Sequence, residues 1–286
     1  MIKLLRPQQW IKNGVVLAGL IFSGQAANPE YQKISLLALI AFCLLSSSVY
    51  TLNDIRDIER DRQHPYKKNR PLASGRVSVT AAIIIGLVMA IGGLVLSYSI
   101  NLNFFYVSAA YLILNILYTF ILKDIVIIDV MSIAAGFVLR ALAGAVAINV
   151  EFSNWLLITT FVLALFLGLG KRRHEILVLE GEASSHRKIL DKYSPYLLDQ
   201  LIGVVTASTV ITYLFYTLSS EVQLKLHTNY LFITIPFVIY GIFRYLYLVH
   251  KEEKGGSPTR LLLADRPLLI DVLLWLASVT IILYIF

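Results

Sequence analysis

The 286 residues are 57% hydrophobic and 15% charged, with a mean hydropathy of +0.72. A water-soluble domain carries about 25% charged and 45–50% apolar residues, so this composition excludes an ordinary soluble fold. The formal charge of +7 raises nucleic acid as a partner, but Lys and Arg gather in loops between long apolar runs, the pattern of charges that orient a chain in a bilayer.

Lys3, Arg6 and Lys12 precede an apolar stretch from Gly14 to Phe22, which Gly24-Gln25-Ala26 follows. A cleavable export signal shares that outline. Trp10, with the polar Gln8, Gln9 and Asn13, fits an interfacial lead into a retained helix better, so this stretch is read as the first span. A membrane span needs about 20 predominantly apolar residues. Further along the chain, 33–55, 78–99, 103–121, 125–149, 153–172, 197–219, 229–249 and 267–286 meet that need. The expected architecture is therefore all-α, a polytopic membrane bundle of about nine transmembrane helices in one domain, 1–286, with no soluble tail. Cys43, the only cysteine, lies inside an apolar run. No intrachain disulfide is available, and no Cys/His spacing suggests zinc.

Placing the spans alternately across the bilayer puts 22 of the 25 Lys and Arg on one side. Only Lys33 and Lys225 fall on the other, and Arg140 sits within a span. The positive-inside rule then expects the N-terminus and the long loops 56–77, 173–196 and 250–266 in the cytoplasm, in a bacterial inner (plasma) membrane. The polar chemistry gathers on that face, as expected of an active site there and not of a path across the membrane.

The second span ends in Asn53-Asp54-Ile55-Arg56-Asp57-Ile58-Glu59-Arg60-Asp61. On a continuous helix, Asn53, Asp57 and Asp61 fall at about 0°, 40° and 80°, and Asp54 near about 100°. Four oxygen-bearing side chains then share one arc while Arg56 and Arg60 point away. Clustered carboxylates without a cation repel one another, whereas hard oxygen ligands with room for water and phosphate are what Mg²⁺ prefers. The plainer alternative is a solvated helix end laced with Arg–Asp pairs. The basic loop that follows, His64-Pro65-Tyr66-Lys67-Lys68-Asn69-Arg70-Pro71-Leu72-Ala73-Ser74-Gly75, can bring Lys67 and Arg70 to phosphate oxygens. It can equally set topology and bind anionic lipid.

The pattern Asn53-Asp54-x-x-Asp57-x-x-x-Asp61, then Arg70-Pro71-Leu72-Ala73-Ser74-Gly75, resembles the first aspartate-rich motif of the UbiA superfamily of membrane prenyltransferases. The resemblance implies a nine-helix fold with a cytoplasmic active site, and Mg²⁺ held on a substrate diphosphate by Asn53, Asp57 and Asp61 with Asp54 assisting. It makes Asp54, Asp57 and Asp61 the candidate catalytic residues. Prenyl-diphosphate members normally carry a second aspartate-rich motif between the sixth and seventh spans. This chain reads Gly170-Lys171-Arg172-Arg173-His174-Glu175 and Arg187-Lys188-Ile189-Leu190-Asp191-Lys192 there instead. Those basic runs, with Arg6-Pro7-Gln8-Gln9-Trp10-Ile11-Lys12-Asn13 and Leu263-Ala264-Asp265-Arg266-Pro267-Leu268, are similar to the decaprenyl-phosphate phosphoribosyltransferase branch. That likeness implies phosphoribosyl diphosphate (PRPP) and a polyprenyl phosphate lipid as substrates.

The inventory suits such a donor. PRPP carries a diphosphate and a separate 5-phosphate, so one metal cluster plus Lys and Arg would match its charge. The expected substrate-binding set is Lys12, Lys67, Arg70, Tyr118, Lys123, Arg140, Lys171, Arg172 and Arg187. Asp129 and Arg140 share a face of the fifth span about 16 Å apart, too far to pair. Arg140 is either a ligand for a phosphate or a structural tie to carbonyls, since an intramembrane charge is a functional candidate by default. His64, His174, His186, His227 and His250 all fall in loops or at span ends. Two other readings remain open: prenyl transfer from a polyprenyl diphosphate to an aromatic or other small acceptor, and a lipid-binding or transport protein. The second would be marked by paired broken helices with polar residues at mid-membrane, and Arg140 is nearly alone there.

Overall fold

The computed structural model describes residues 2–63, 67–178, 188–252 and 255–285. Among them every regular element is a helix. Eight segments are long and apolar enough to cross a bilayer, Pro29–Arg56, Val79–Ile100, Leu102–Phe120, Ile128–Ala147, Asn154–Leu177, Pro195–Leu218, Leu231–His250 and Arg266–Tyr284. They match the second to ninth expected spans one for one. Large apolar side chains such as Ile84, Leu87, Val88, Ile91 and Val95 lie exposed along one of these helices. Water would penalise that stripe and lipid does not. The protein is an integral membrane protein.

We number the α-helices in chain order: α1 Ile2–Leu5, α2 Ala18–Ile21, α3 Pro29–Arg56, α4 Ile58–Gln63, α5 Val79–Ile100, α6 Leu102–Phe120, α7 Ile128–Ala147, α8 Asn154–Val178, α9 Pro195–Leu218, α10 Ser220–Leu226, α11 Ile235–His250, α12 Pro258–Ala264 and α13 Arg266–Tyr284. They fall into two compact units. The first holds residues 1–20, 25–132 and 139–151, and the second holds 21–24, 133–138 and 152–286.

The first unit is built on α3. Asn28 caps it by accepting from the backbone N–H of Glu30 at 3.0 Å, with Pro29 in the first turn, where a missing N–H costs nothing. Phe42, Leu45 and Val49 of α3 join Val16, Phe104, Tyr111, Ala143 and Ala147 in its core. A Cβ on Gly93 of α5 would stand 2.6 Å from Leu45 Cδ2, so glycine lets the two helices close. Asn101 caps α6 by accepting from Phe104 N–H at 2.7 Å, while its amide donates to the carbonyls of Val146 and Ala147 at 3.0 and 3.1 Å. One side chain thereby satisfies both the start of α6 and the end of α7.

The expected first span, 10–26, is not an ordinary α-helix. Residues Pro7–Leu17 form a 3₁₀ helix, followed by the four-residue α2. The cause is a backbone-to-backbone approach: a Cβ on Gly144 would collide with the Val16 carbonyl, and one on Gly19 with the backbone of Gly144 and Ala145. Asn13, fully buried, turns inward and donates to Phe42 O at 3.3 Å and Ser46 Oγ at 3.0 Å. Small residues at the contact and polar side chains as ties are how helices associate in lipid.

In the second unit α8 packs along α9, and Leu156, Tyr213, Tyr216, Val222, Leu231 and Ile282 form a core. Tyr213 is satisfied there by Thr234 Oγ1 at 2.6 Å and by Trp275 Nε1, which donates at 2.9 Å. Asp265 caps α13 at Leu268 N–H and takes both ends of the Arg244 guanidinium at 3.1 and 2.8 Å.

Candidate active site

The acidic motif occupies a break in the helix, where the sequence alone suggested one continuous arc. Asp57 ends α3 with φ −102° and ψ 11°, and α4 starts at Ile58. Backbone bonds bridge the break, from Asp57 N–H to Asn53 O at 3.0 Å and from Asp61 N–H to Asp57 O at 2.8 Å. The four side chains therefore keep neighbouring positions, but each has acquired its own partner.

Asp54 is 2% exposed and is paired with Arg6 and with Arg70 Nη1, the latter at 3.1 Å. The same Arg70 nitrogen lies 2.5 Å from Asp61 Oδ2. Asp57 Oδ1 receives Lys123 Nζ at 2.9 Å, and Asn53 Oδ1 receives the Thr119 hydroxyl at 2.7 Å. Three cations from three separate stretches of chain thus converge on three carboxylates. A buried carboxylate without such a partner costs several kcal/mol, which makes the pairing obligatory in this unit.

Local sequence explains each delivery. Arg70 follows the 3₁₀ turn Lys67–Asn69, and its N–H donates to Lys67 O at 2.9 Å. Leu72, 3% exposed, plugs into Leu4 and Ala82, and Gly75 turns the chain at φ 72°. The Arg-Pro-Leu-Ala-Ser-Gly run is therefore an anchor and a turn that hold one guanidinium over the aspartates. Arg6 arrives on the N-terminal arm, which the buried Leu4 pins and which Ser47 Oγ fastens by donating to Leu5 O at 3.0 Å. Its own backbone is left-handed at φ 51° and its guanidinium lies 5.4 Å above the Tyr50 ring. A left-handed arginine is uncommon and is held only where the surroundings over-determine it. Sequence reasoning missed Arg6 and Thr119 as members of the cluster; a cation directly before Pro7 was the available signal for the first.

The remaining expected residues distribute as follows. Lys12, Lys67 and Tyr118 are half-buried in the first unit. Arg140, 6% exposed, donates from Nε to Asn13 Oδ1 at 3.0 Å and from Nη2 to Tyr111 Oη at 2.7 Å, and it also lies 4.7 Å over the Tyr111 ring. It forms a second polar centre with Asn13 and Ser46. Asp129 is fully buried in the first turn of α7. In the second unit, Lys171 and Arg172 face Glu175 at 3.5 and 2.6 Å, and Arg173 reaches Asp199 at 2.6 Å beside His250 at 3.2 Å. Arg187, His64 and His186 lie outside the described residues.

Among the described residues no three His, Cys, Asp or Glu side chains stand close enough to hold a metal ion as they are placed. The donor set nevertheless fits a hard divalent cation in chemistry. Asp54 and Asp61 already share one positive centre at Arg70, and Asn53 and Asp57 add neutral and charged oxygens.

The sequence profile of the UbiA prenyltransferase family matches residues 14–264. The chain belongs to the UbiA prenyltransferase family. It is 33% identical over 98% of its length to the decaprenyl-phosphate phosphoribosyltransferase of Mycolicibacterium smegmatis, of which 91% is covered. For the enzyme of the same name from Corynebacterium glutamicum the identity is 34%, over all of this chain and 87% of that one. A UbiA homologue from Archaeoglobus fulgidus, solved with GPP and Mg²⁺, shares the fold at a TM-score of 0.74 with 20% identity, covering 98% of both chains. This UbiA-family protein is a membrane-embedded transferase.

Proposed function

We propose that the protein transfers 5-phosphoribose from PRPP to a polyprenyl phosphate of the decaprenyl type, with Mg²⁺, and releases diphosphate. The observation that carries this reading is the near full-length similarity to two enzymes of that name, in a chain that carries the basic runs Lys171-Arg172-Arg173 and Arg187-Lys188 where prenyl-diphosphate users carry a second aspartate-rich motif. The distribution of Lys and Arg supports a cytoplasmic active face in a bacterial plasma membrane.

Asn53, Asp54, Asp57 and Asp61 would hold the metal, which neutralises charge on the leaving diphosphate when bound. Arg70 and Lys123 are tethered by carboxylates of the same cluster, so they are positioned for diphosphate oxygens without a long search. Lys67, on the loop with Arg70, and Lys12 and Tyr118 are assigned to the substrates' outer charges and hydroxyls. Lys171, Arg172 and Arg187 are kept as candidate substrate-binding residues. Arg140 is assigned to holding the first unit together, because its guanidinium is engaged by Asn13 and Tyr111. In the transfer, an oxygen of the acceptor phosphate bonds to C1 of the ribose as the C1–O bond to diphosphate breaks. The electron pair leaves with diphosphate through an oxocarbenium-like state. The acceptor is already ionised, so no general base is required.

The test offers the purified protein labelled PRPP and labelled prenyl diphosphates side by side, with polyprenyl phosphate, Mg²⁺ and small aromatic acceptors. Label passing from PRPP to lipid is expected. Label passing only from a prenyl diphosphate would replace this reading with prenyl transfer, and no transfer from either donor would leave a lipid-binding or transport protein.

A further inference from the structure

Arg173 and His250 belong to the second unit, and the proposed reaction uses neither. Arg173, near the end of α8, donates from Nε to Asp199 Oδ1 on α9 at 2.6 Å. His250, the last residue of α11, faces the same oxygen through Nε2 at 3.2 Å. Among the described residues, the terminal nitrogens Nη1 and Nη2 of Arg173 and the second oxygen of Asp199, Oδ2, have no hydrogen bond. The Arg173 side chain is 14% exposed, so its spare donors are largely withdrawn from solvent, where polar groups normally find partners. Unused donors and an unused acceptor therefore stand side by side on one ion pair.

From this pair a groove of about 800 Å³ runs between α9 and α11. Ile202, Gly203, Ala207 and Ile211 line it from α9, and Phe243 and Tyr247 from α11. All of these but Ile202 are exposed, so the groove faces outward. Both of its helices lie in membrane spans, and what covers an apolar wall there is hydrocarbon. Twelve residues separate Asp199 from Ile211, about 18 Å of helix. Half of a bilayer's hydrocarbon core is about 15 Å, so the groove spans one leaflet. Its polar end lies on the side of the basic loops, where a lipid of that leaflet carries its headgroup.

We propose that the groove binds a phospholipid with a phosphoethanolamine headgroup. The phosphate meets Nη1 and Nη2 of Arg173, a planar fork suited to its oxygens. The primary ammonium donates to Asp199 Oδ2, and an acyl chain lies along the apolar wall. A lone phosphate would leave that carboxylate oxygen bare and facing like charge. A choline headgroup has no N–H to donate, and a phosphoglycerol headgroup brings no positive charge. The dipolar headgroup answers both halves of the ion pair. The assignment does not depend on the donor or the acceptor of the transfer reaction.

The test places the full chain in nanodiscs of equal parts phosphatidylethanolamine, phosphatidylcholine and phosphatidylglycerol, with polyprenyl phosphate as a minor component. Lipid still held after transfer to mild detergent is counted per chain by native mass spectrometry. Phosphatidylethanolamine should be retained about tenfold over each of the other two, the scale of one charge-assisted hydrogen bond. Asp199→Asn should reduce that preference to about twofold, because the ammonium loses its counter-charge. Gly203→Leu, whose side chain grows into open space on the groove wall, should abolish retention without touching the ion pair or lowering the unfolding temperature. It carries the test should Asp199→Asn misfold. Equal retention of the three phospholipids, or a preference for phosphatidylglycerol, would overturn the proposal. Polyprenyl phosphate held in place of phosphatidylethanolamine would give the groove to that lipid and overturn it as well. So would a preference that survives Gly203→Leu, since the lipid would then lie elsewhere.

Discussion

In the first unit, Asp54 is answered by a cation 48 residues away and Asp57 by one 66 residues away. In the second, Lys171 and Arg172 are answered by Glu175 from four and three residues along the same helix. The two arrangements differ in what holds them. A pair within one helical turn exists as soon as the helix does, and it needs no tertiary structure. The carboxylate cluster exists only when the N-terminal arm, the 67–76 loop and the end of α6 have all docked on the α3–α4 break. Its charges are therefore interdependent, and a polyanion with its metal can redistribute them together. Catalysis is expected where the charges are coupled at long range, and substrate steering where they are paired locally.

The sharpest way to break that comparison is Asp57→Asn. It removes the charge of a carboxylate proposed to hold the metal and neutralises the partner of Lys123 in one step while keeping shape. Transfer should fall by about 10³-fold, the scale of losing a principal electrostatic stabiliser of the transition state, with a destabilisation of only about 1–2 kcal/mol, because the amide oxygen still accepts from the buried Lys123 but no longer neutralises it. Turnover at the wild-type rate would remove the cluster from the reaction.

Arg70→Ala comes next. Breaking a fully buried pair costs about 3–5 kcal/mol, but Arg70 is 28% exposed and Asp54 keeps Arg6, so about 2 kcal/mol of destabilisation is expected. Arg70→Lys should recover most of the stability, since a single Arg70 nitrogen, Nη1, meets both Asp54 and Asp61, and less of the activity, since an ammonium lacks the guanidinium's further N–H donors for a phosphate. Equal rescue of both would argue that the residue is structural. Arg6→Ala should cost less, about 1 kcal/mol for one charge-assisted bond, because Arg70 remains on Asp54. Its transfer rate should fall more than its stability if the arm positions the cluster.

Much of this was legible in the residues. The apolar runs fixed the long helices because a bilayer admits so few backbone solutions, and the acidic motif with its basic loop pointed to the cluster at α3–α4. What was hidden depended on partners far away in the chain. The 3₁₀ form of residues 7–17 follows from Val16 meeting Gly144, and no local pattern announces a neighbour 128 positions on. Arg140 could be named as a functional candidate or a tie, but only folding shows Asn13 and Tyr111 around it. The helix break at Asp57 is likewise silent in the sequence, which has no Pro or Gly there. Arg6 escaped because its role depends on a left-handed backbone turn that non-glycine residues seldom adopt.

Lys171→Ala is the smallest effect and the most discriminating between the two regions. The Lys171–Glu175 pair is 3.5 Å long and Lys171 is 44% exposed, so losing it should shift stability by less than about 0.5 kcal/mol. If Lys171 serves only that pair, nothing else should change. If it contributes to the 5-phosphate, KM for PRPP should rise by about tenfold, the scale of one exposed charge-assisted contact, with kcat unaltered and the KM for polyprenyl phosphate untouched. The rise should shrink at high ionic strength, because an exposed cation acts through solvent that salt screens. A kcat loss comparable to that of Asp57→Asn would instead place this local pair among the coupled charges, and the distinction between long-range and local pairing would fail as a guide to which charges do chemistry.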